Sequence, residues 1–261
     1  MIGLVLAVLS FGTSLIIGSL LIPEIIKIAH AREFLDHPDH RKVHKNSIPT
    51  LGGVGIFAAF IISVLLSSFI NISSEIQYLL GATFLIVLVG TRDDLLSLGA
   101  TSKLIVQFFA ACIAVYFAEI HFTSLHGLFG IYEVSPIIAY PASIFTIIVI
   151  TNAFNLIDGI DGLAGTVGLI IFLFFGLWFA LLSEKGIAII CFSMVGAIVA
   201  FLRYNISPAQ IFMGDTGSLL IGLTSSILAI SFIEMNKSYV NEWTIQSVPA
   251  VAVGILIIPL F

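Results

Sequence analysis

The amino-acid sequence predicts an all-α polytopic membrane protein of about nine transmembrane helices, organised as one domain over residues 1–261. Three observations predict it. Hydrophobic residues make up 59% of the chain and charged residues 10%, against about 25% charged in soluble domains, which excludes an ordinary water-soluble globule. Apolar stretches close to the ~20 residues that cross a ~30 Å hydrocarbon core follow one another with short polar breaks, and a helix satisfies its own backbone there. The basic residues, finally, crowd into alternate breaks.

The first span, at about residues 3–29, has no early basic region and no small-residue cleavage pattern, so it reads as a retained helix and not as a secretory leader. Further spans are read at about 53–70, 78–91, 103–119, 137–155, 163–182, 186–202, 216–233 and 245–261. The third is short, and Pro23 and Pro141 are expected to kink their helices, which lipid-embedded helices tolerate. Between the fourth and fifth spans, His121–Pro136 carries Gly127, Gly130 and several β-favouring residues and reads as a small hairpin or an interfacial segment. Cys112 and Cys191 fall inside apolar stretches and read as small buried hydrophobes.

Alternating the spans puts Lys27, Arg32, Arg41, Lys42, Lys45, Arg92, Lys103 and Arg203 on one side and only Lys185 and Lys237 on the other. By the positive-inside rule the first side is cytoplasmic and the N-terminus is outside. Asp36, Asp39, Asp93, Asp94, Asp158, Asp161 and Asp215 all lie on that cytoplasmic side, whereas most glutamates lie outside. Acidic residues barely steer insertion, so the sorting points to a shared task, and short carboxylates and amides suit an oxygen-coordinated Mg²⁺ that also holds phosphates.

Four cytoplasmic loops carry the motifs. The first, DHPDHRKVHKNSIPTLGG from Asp36 to Gly53, combines Arg41, Lys42, His44 and Lys45, a landing site for phosphates, with Gly52 and Gly53, which permit close backbone approach. The same basic residues also suit a plain positive-inside flank. The second pairs Asp93 with Asp94 ahead of Lys103. Adjacent carboxylates repel at a membrane boundary, so a metal or a basic partner is implied; a helix-ending charged pair in water is the alternative. In the third, NAFNLIDGIDGLAG, Asn152, Asn155, Asp158 and Asp161 recur every third residue, which brings them to one side as a helix ends. Polar groups near hydrocarbon are costly enough to read as functional, and Gly159 and Gly162 bare backbone amides suited to a phosphate or nucleobase. The fourth, IFMGDTGSLLIG, places Phe212, Gly214 and Asp215 at a helix start, where Asp215 serves as a metal ligand or as a simple cap, and Phe212 offers a ring to stack on a base.

Across these four loops, from Asp36 to Ser218, the chain resembles the polyprenyl-phosphate N-acetylhexosamine-1-phosphate transferase family (glycosyltransferase family 4). Its RKVHK and PTLGG strings are closer to the N-acetylglucosamine-1-phosphate branch than to the muramyl-pentapeptide branch. The resemblance implies catalytic roles for Asp93 and Asp94, catalysis or nucleotide binding for Asp158 and Asp161, and Mg²⁺ ligation, with Mn²⁺ as a substitute, by Asn155 and Asp215. The candidate substrate-binding residues are Arg41, Lys42, His44, Lys103, Asn152, Phe212 and Gly214. The implied reaction in a bacterial inner membrane is attack of undecaprenyl phosphate on the β-phosphorus of a UDP-N-acetylhexosamine, with membrane lipid as the surround, no nucleic-acid partner, and a homodimer left open. A groove between helices leading to Asp93 is expected for the lipid. The family also implies ten or eleven helices and a later loop rich in histidine and arginine; the chain stops at Phe261, so the expectation is of a C-terminally incomplete form, weak or inactive alone. Two rival classes fit less well. An intramembrane prenyltransferase needs two aspartate-rich motifs with four-residue spacing, and an ion-coupled transporter places its ionisable groups near the bilayer centre.

Overall fold

The computed structural model of the protein describes residues 2–36, 47–67, 74–125, 127, 130, 132–238 and 248–260. Nearly all of them are helical: α1 (Ile2–Ala31), α2 (Gly52–Ser67), α3 (Ser74–Leu96), α4 (Ala100–Cys112), α5 (Pro136–Ile157), α6 (Leu163–Leu181), α7 (Lys185–Asn205), α8 (Gly214–Ser238) and α9 (Val248–Leu260). Six segments, Val5–Ala31, Ala100–Phe117, Pro136–Ile157, Leu163–Leu181, Lys185–Asn205 and Gly214–Asn236, are long and apolar enough to cross a membrane, and α2 is a shorter apolar helix. Their outward faces stay apolar, as at Leu20, Phe145 and Leu156, a pattern that suits lipid and not water.

Helix α8 is the axis of the bundle: it is buried almost throughout and packs against α2, α3, α5, α6 and α9. With lipid outside, apolar burial between helices gives little driving force, so close backbone approach and interhelical hydrogen bonds hold them. A Cβ on Gly196 of α7 would lie 2.9 Å from the Leu15 amide of α1, and one on Gly222 of α8 would lie 2.7 Å from Thr151 Cα of α5. Between α1, α2 and α7, Ser63 Oγ lies 2.9 Å from Thr13 Oγ1 and 3.0 Å from Ser193 Oγ, and donates to the Ser10 carbonyl.

Several local features differ from the sequence reading. The short third span is a 23-residue helix that runs on through Asp93 and Asp94, because both carboxylates find partners there. The fourth ends in a π-helical turn, Ile113–Phe117. Two short strands unforeseen in the sequence, β1 (Leu35–Asp36) and β2 (Ile48–Pro49), pair antiparallel at the two ends of the first loop. In the expected hairpin near residue 125 the backbone folds back, with Val134 N donating to Thr123 O at 3.0 Å, but no strand is formed among the described residues.

Candidate active site

The described parts of the α1–α2, α3–α4, α5–α6 and α7–α8 connections meet at one end of the bundle, the first and last of them joined backbone to backbone. Phe212 N donates to Pro49 O, Gly52 N to Phe212 O and Gly53 N to Met213 O, at 2.7 to 3.0 Å. The α5–α6 turn is tied to the α7–α8 connection by Asn205, which accepts from Gly162 N and donates to Ile211 O, both at 2.9 Å. Asp161 accepts from Ala209 N at 3.3 Å. The first and fourth loops thus form one surface, and the PTLGG glycines serve their packing: a Cβ on Gly53 would lie 2.6 Å from Gly217 Cα.

Asp94, in the last turn of α3, caps a helix that is not its own. Its carboxylate accepts from Asp215 N at 2.7 Å, Thr216 N at 3.1 Å and Thr216 Oγ1 at 2.6 Å, so it neutralises the first amides of α8 where the helix dipole favours negative charge. Gly214 makes this approach possible. Its φ is +70°, and a Cβ there would meet both Asp94 carboxylate oxygens at 2.7 Å.

Relieved of the capping role, Asp215 points its side chain sideways. One oxygen accepts from Lys103 Nζ and the other from Asn155 Nδ2 at 2.9 Å; Asn155 also bonds Ser218 Oγ at 3.0 Å. Lys103 Nζ is also 2.5 Å from Asp93 Oδ2, and Asp93 accepts from Leu98 N. Asp93 and Asp94 therefore face different partners, one an ammonium and the other a helix N-terminus, which resolves the repulsion of adjacent carboxylates. Asp158 caps the end of α5 and accepts from the Gly214 amide; burial first, then the Asp94 and Asp215 carboxylates, push its carboxyl up to about 8.

The three-residue repeat of the third loop does not hold its four groups together. Asn155 and Asp158 face the Asp215 cluster, whereas Asp161 turns to Ala209 because α5 ends at Ile157. Asn152 faces α4, where it pairs with Gln107. Phe212 is half-buried at the joint of the first and fourth loops. Arg41, Lys42 and His44 lie outside the described residues. Sequence reasoning passed over Gln107 and Asn205; Gln107 is detectable as the lone amide in the apolar run from Leu104 to Phe117.

Four carboxyl groups (Asp93, Asp94, Asp158 and Asp215) around one ammonium make an oxygen-rich cluster. Among the described residues no three His, Cys, Asp or Glu side chains converge as a ready-made metal cage. The donor chemistry of Asp215 beside Asn155, a carboxylate and an amide, would suit Mg²⁺, which uses one or two carboxylates and completes its shell with water and substrate phosphates. The Asp158 carboxyl, pushed up by burial and by two neighbouring carboxylates, gives up its proton more readily when positive charge is added beside it.

Residues 76–233 match the profile of glycosyl transferase family 4. The chain belongs to that family. Among similar proteins is one from Bacillus subtilis (strain 168) described as a probable undecaprenyl-phosphate N-acetylglucosaminyl 1-phosphate transferase, 34% identical over 85% of this chain and 62% of its own length. The phospho-N-acetylmuramoyl-pentapeptide-transferase of Wolbachia sp. subsp. Drosophila simulans (strain wRi) is 30% identical over 87% of this chain and 75% of its own. The undecaprenyl-phosphate alpha-N-acetylglucosaminyl 1-phosphate transferase of Salmonella typhi is 32% identical over 90% and 63%. The chain thus spans about two thirds of the length of these curated relatives.

Proposed function

We propose that this glycosyl transferase family 4 chain transfers a sugar-1-phosphate, N-acetylglucosamine-1-phosphate, from a UDP-sugar to undecaprenyl phosphate, releasing UMP as the first membrane step of cell-envelope glycan synthesis. The reading is carried by the joining of Asp93, Lys103, Asp215 and Asn155 into one bonded array at the end of a lipid-facing bundle. It is supported by the names of the family relatives. In this reading the array faces the cytoplasm across a bacterial inner membrane, where the soluble nucleotide sugar and the headgroup of the lipid acceptor meet.

In the reaction an oxygen of the lipid phosphate attacks the β-phosphorus of the UDP-sugar. The bond from that phosphorus to the α–β bridging oxygen breaks, and UMP leaves with the electron pair. Such a transfer asks mainly for positioning and charge stabilisation. Asp215 and Asn155 would hold Mg²⁺, which when bound supplies Lewis-acid stabilisation of pyrophosphate charge. Lys103 offers an ammonium to the phosphates and is kept in place by Asp93 and Asp215. Asp93, with one carboxylate edge on Lys103, faces the lipid phosphate. Asp94 holds the α8 terminus, and Asp158 adds a third carboxylate next to the metal site. Phe212 lies at the loop joint where a base can stack.

The test is UMP release by purified protein in lipid nanodiscs with Mg²⁺, undecaprenyl phosphate and a panel of UDP-sugars that includes UDP-N-acetylglucosamine and UDP-N-acetylmuramoyl-pentapeptide. UMP formed with UDP-N-acetylglucosamine only when the lipid phosphate is present supports the reading. No UMP with any donor sinks it.

A further inference from the structure

We infer that Gln107 is a positioning residue: its amide clamps α4 to α5 through a reciprocal pair with Asn152, so that Lys103 is held on Asp215, and Asn152 serves the clamp instead of the substrate. Asn152 Nδ2 donates to Gln107 Oε1 at 2.6 Å, and Gln107 Nε2 donates back to Asn152 Oδ1 at 3.3 Å. The second amide hydrogen of Asn152 goes to its own helix, to Ile148 O at 2.8 Å. Gln107 is only 2% exposed. In a segment surrounded by lipid a lone buried amide is costly unless paired, and paired it gives the contact a direction that apolar side chains lack.

Helix α4 needs that direction. Its buried face consists of Gln107, Ala110 and Ala111, while Ile105, Phe108 and Phe109 point outward. The alanine methyl groups, with Ala114 and Val115 of the π-helical turn that continues the helix, are small and interlock little, so rotation and sliding of α4 are weakly specified. Among the described residues the amide pair is the side-chain hydrogen-bonded link between α4 and α5, and it lies one helical turn from the reactive groups on both: Lys103 is four residues before Gln107, and Asn155 three residues after Asn152. Lys103 and Asn155 converge on the two oxygens of the same carboxylate, Asp215. A slip or turn of α4 therefore moves the Lys103 ammonium off Asp215 and Asp93 while leaving Asn155 in place.

The inference rests on the proposed transfer reaction for its kinetic readout alone. The experiment compares Gln107→Leu, Asn152→Leu and the double leucine variant in nanodiscs. It records thermal unfolding, UMP release, and acetylation of Lys103 by a water-soluble N-hydroxysuccinimide ester, quantified by mass spectrometry. Each single variant strands one amide, so its unfolding temperature falls; the double variant has no stranded amide and recovers it. The clamp predicts that the double variant nevertheless keeps a kcat about tenfold below the starting protein, with KM for the UDP-sugar within about twofold, as expected for a sub-ångström misplacement of a reactive group. It also predicts that Lys103 acetylation is raised several-fold in all three variants. A double variant with unchanged kcat and unchanged acetylation overturns the inference, since the pair would then only fill space. So does a rise in KM for the UDP-sugar in Asn152→Leu with none in Gln107→Leu, which would return Asn152 to the substrate. If the unsubstituted protein releases no UMP from any donor, the transfer reaction fails as a reading, and acetylation of Lys103 still decides the clamp.

Discussion

Single carboxylates at the site divide by what they touch. Asp94 accepts three hydrogen bonds from the start of α8, so Asp94→Ala should strand the Asp215 and Thr216 amides. The expected cost is about 1–3 kcal/mol, as for the loss of a charged cap. Thermal unfolding in detergent checks this, and an Asp94→Ala protein as stable as the starting one would refute the capping role. Asp93 holds Lys103, the Leu98 amide and the Asp215 side chain, and caps no helix terminus as Asp94 does, so Asp93→Asn should unfold at nearly the same temperature while UMP release falls about a hundredfold or more, the scale of one electrostatic or proton-transfer contact. Asp158 supplies a pH signature. With its carboxyl pushed up to about 8 by burial and by its carboxylate neighbours, it holds its proton at pH 7, and a divalent cation bound beside it must displace that proton. Mg²⁺ affinity should therefore rise between pH 6 and 8, with proton uptake by buffer seen in titration calorimetry run in two buffers of different ionisation enthalpy. Asp158→Asn should abolish the proton release; identical heats in both buffers for the unsubstituted protein would exclude it.

Between elements, glycine positions decide how near α2 and α3 come to the start of α8. A Cβ on Gly90 of α3 would lie 2.5 Å from Thr216 Cα, and one on Gly53 of α2 would press on the Gly217 backbone. These atoms belong to backbone and have no rotamer to change, so Gly53→Ala should push α2 away from α8. A loss of about 1–3 kcal/mol is expected, the usual cost of overpacking. Activity should fall with it, because Gly53 N and Gly52 N are also bonded to the connection that carries Phe212 and Met213. An unfolding temperature and turnover equal to the unsubstituted protein would show that the two helices have slack. The PTLGG glycines were legible in the sequence as places of close approach, but what approaches them is the α8 backbone.

For the molecule as a whole, the orientation in the bilayer that the basic residues predict can be tested independently of activity. Ser97 and Ser183 are both exposed and sit at opposite ends of the bundle, Ser97 beside the aspartates. In intact cells a cysteine at Ser183 should react with an impermeant thiol reagent and one at Ser97 only after the membrane is opened; the reverse labelling would invert the topology. The apolar spans, the sidedness of the aspartates and the four polar loops all follow from composition and spacing, because each is a property of residues near one another in the chain. That much the sequence determined by itself. Only the tertiary structure decided which carboxylate does what: that Asp94 caps α8, that Asp215 is thereby released to Lys103 and Asn155, and that Asn152 turns to Gln107. These are contacts between residues 45 to 121 positions apart. No local pattern encodes them, because a hydrogen bond is settled by which backbones are brought to within about 3 Å, and the helix crossings bring them there.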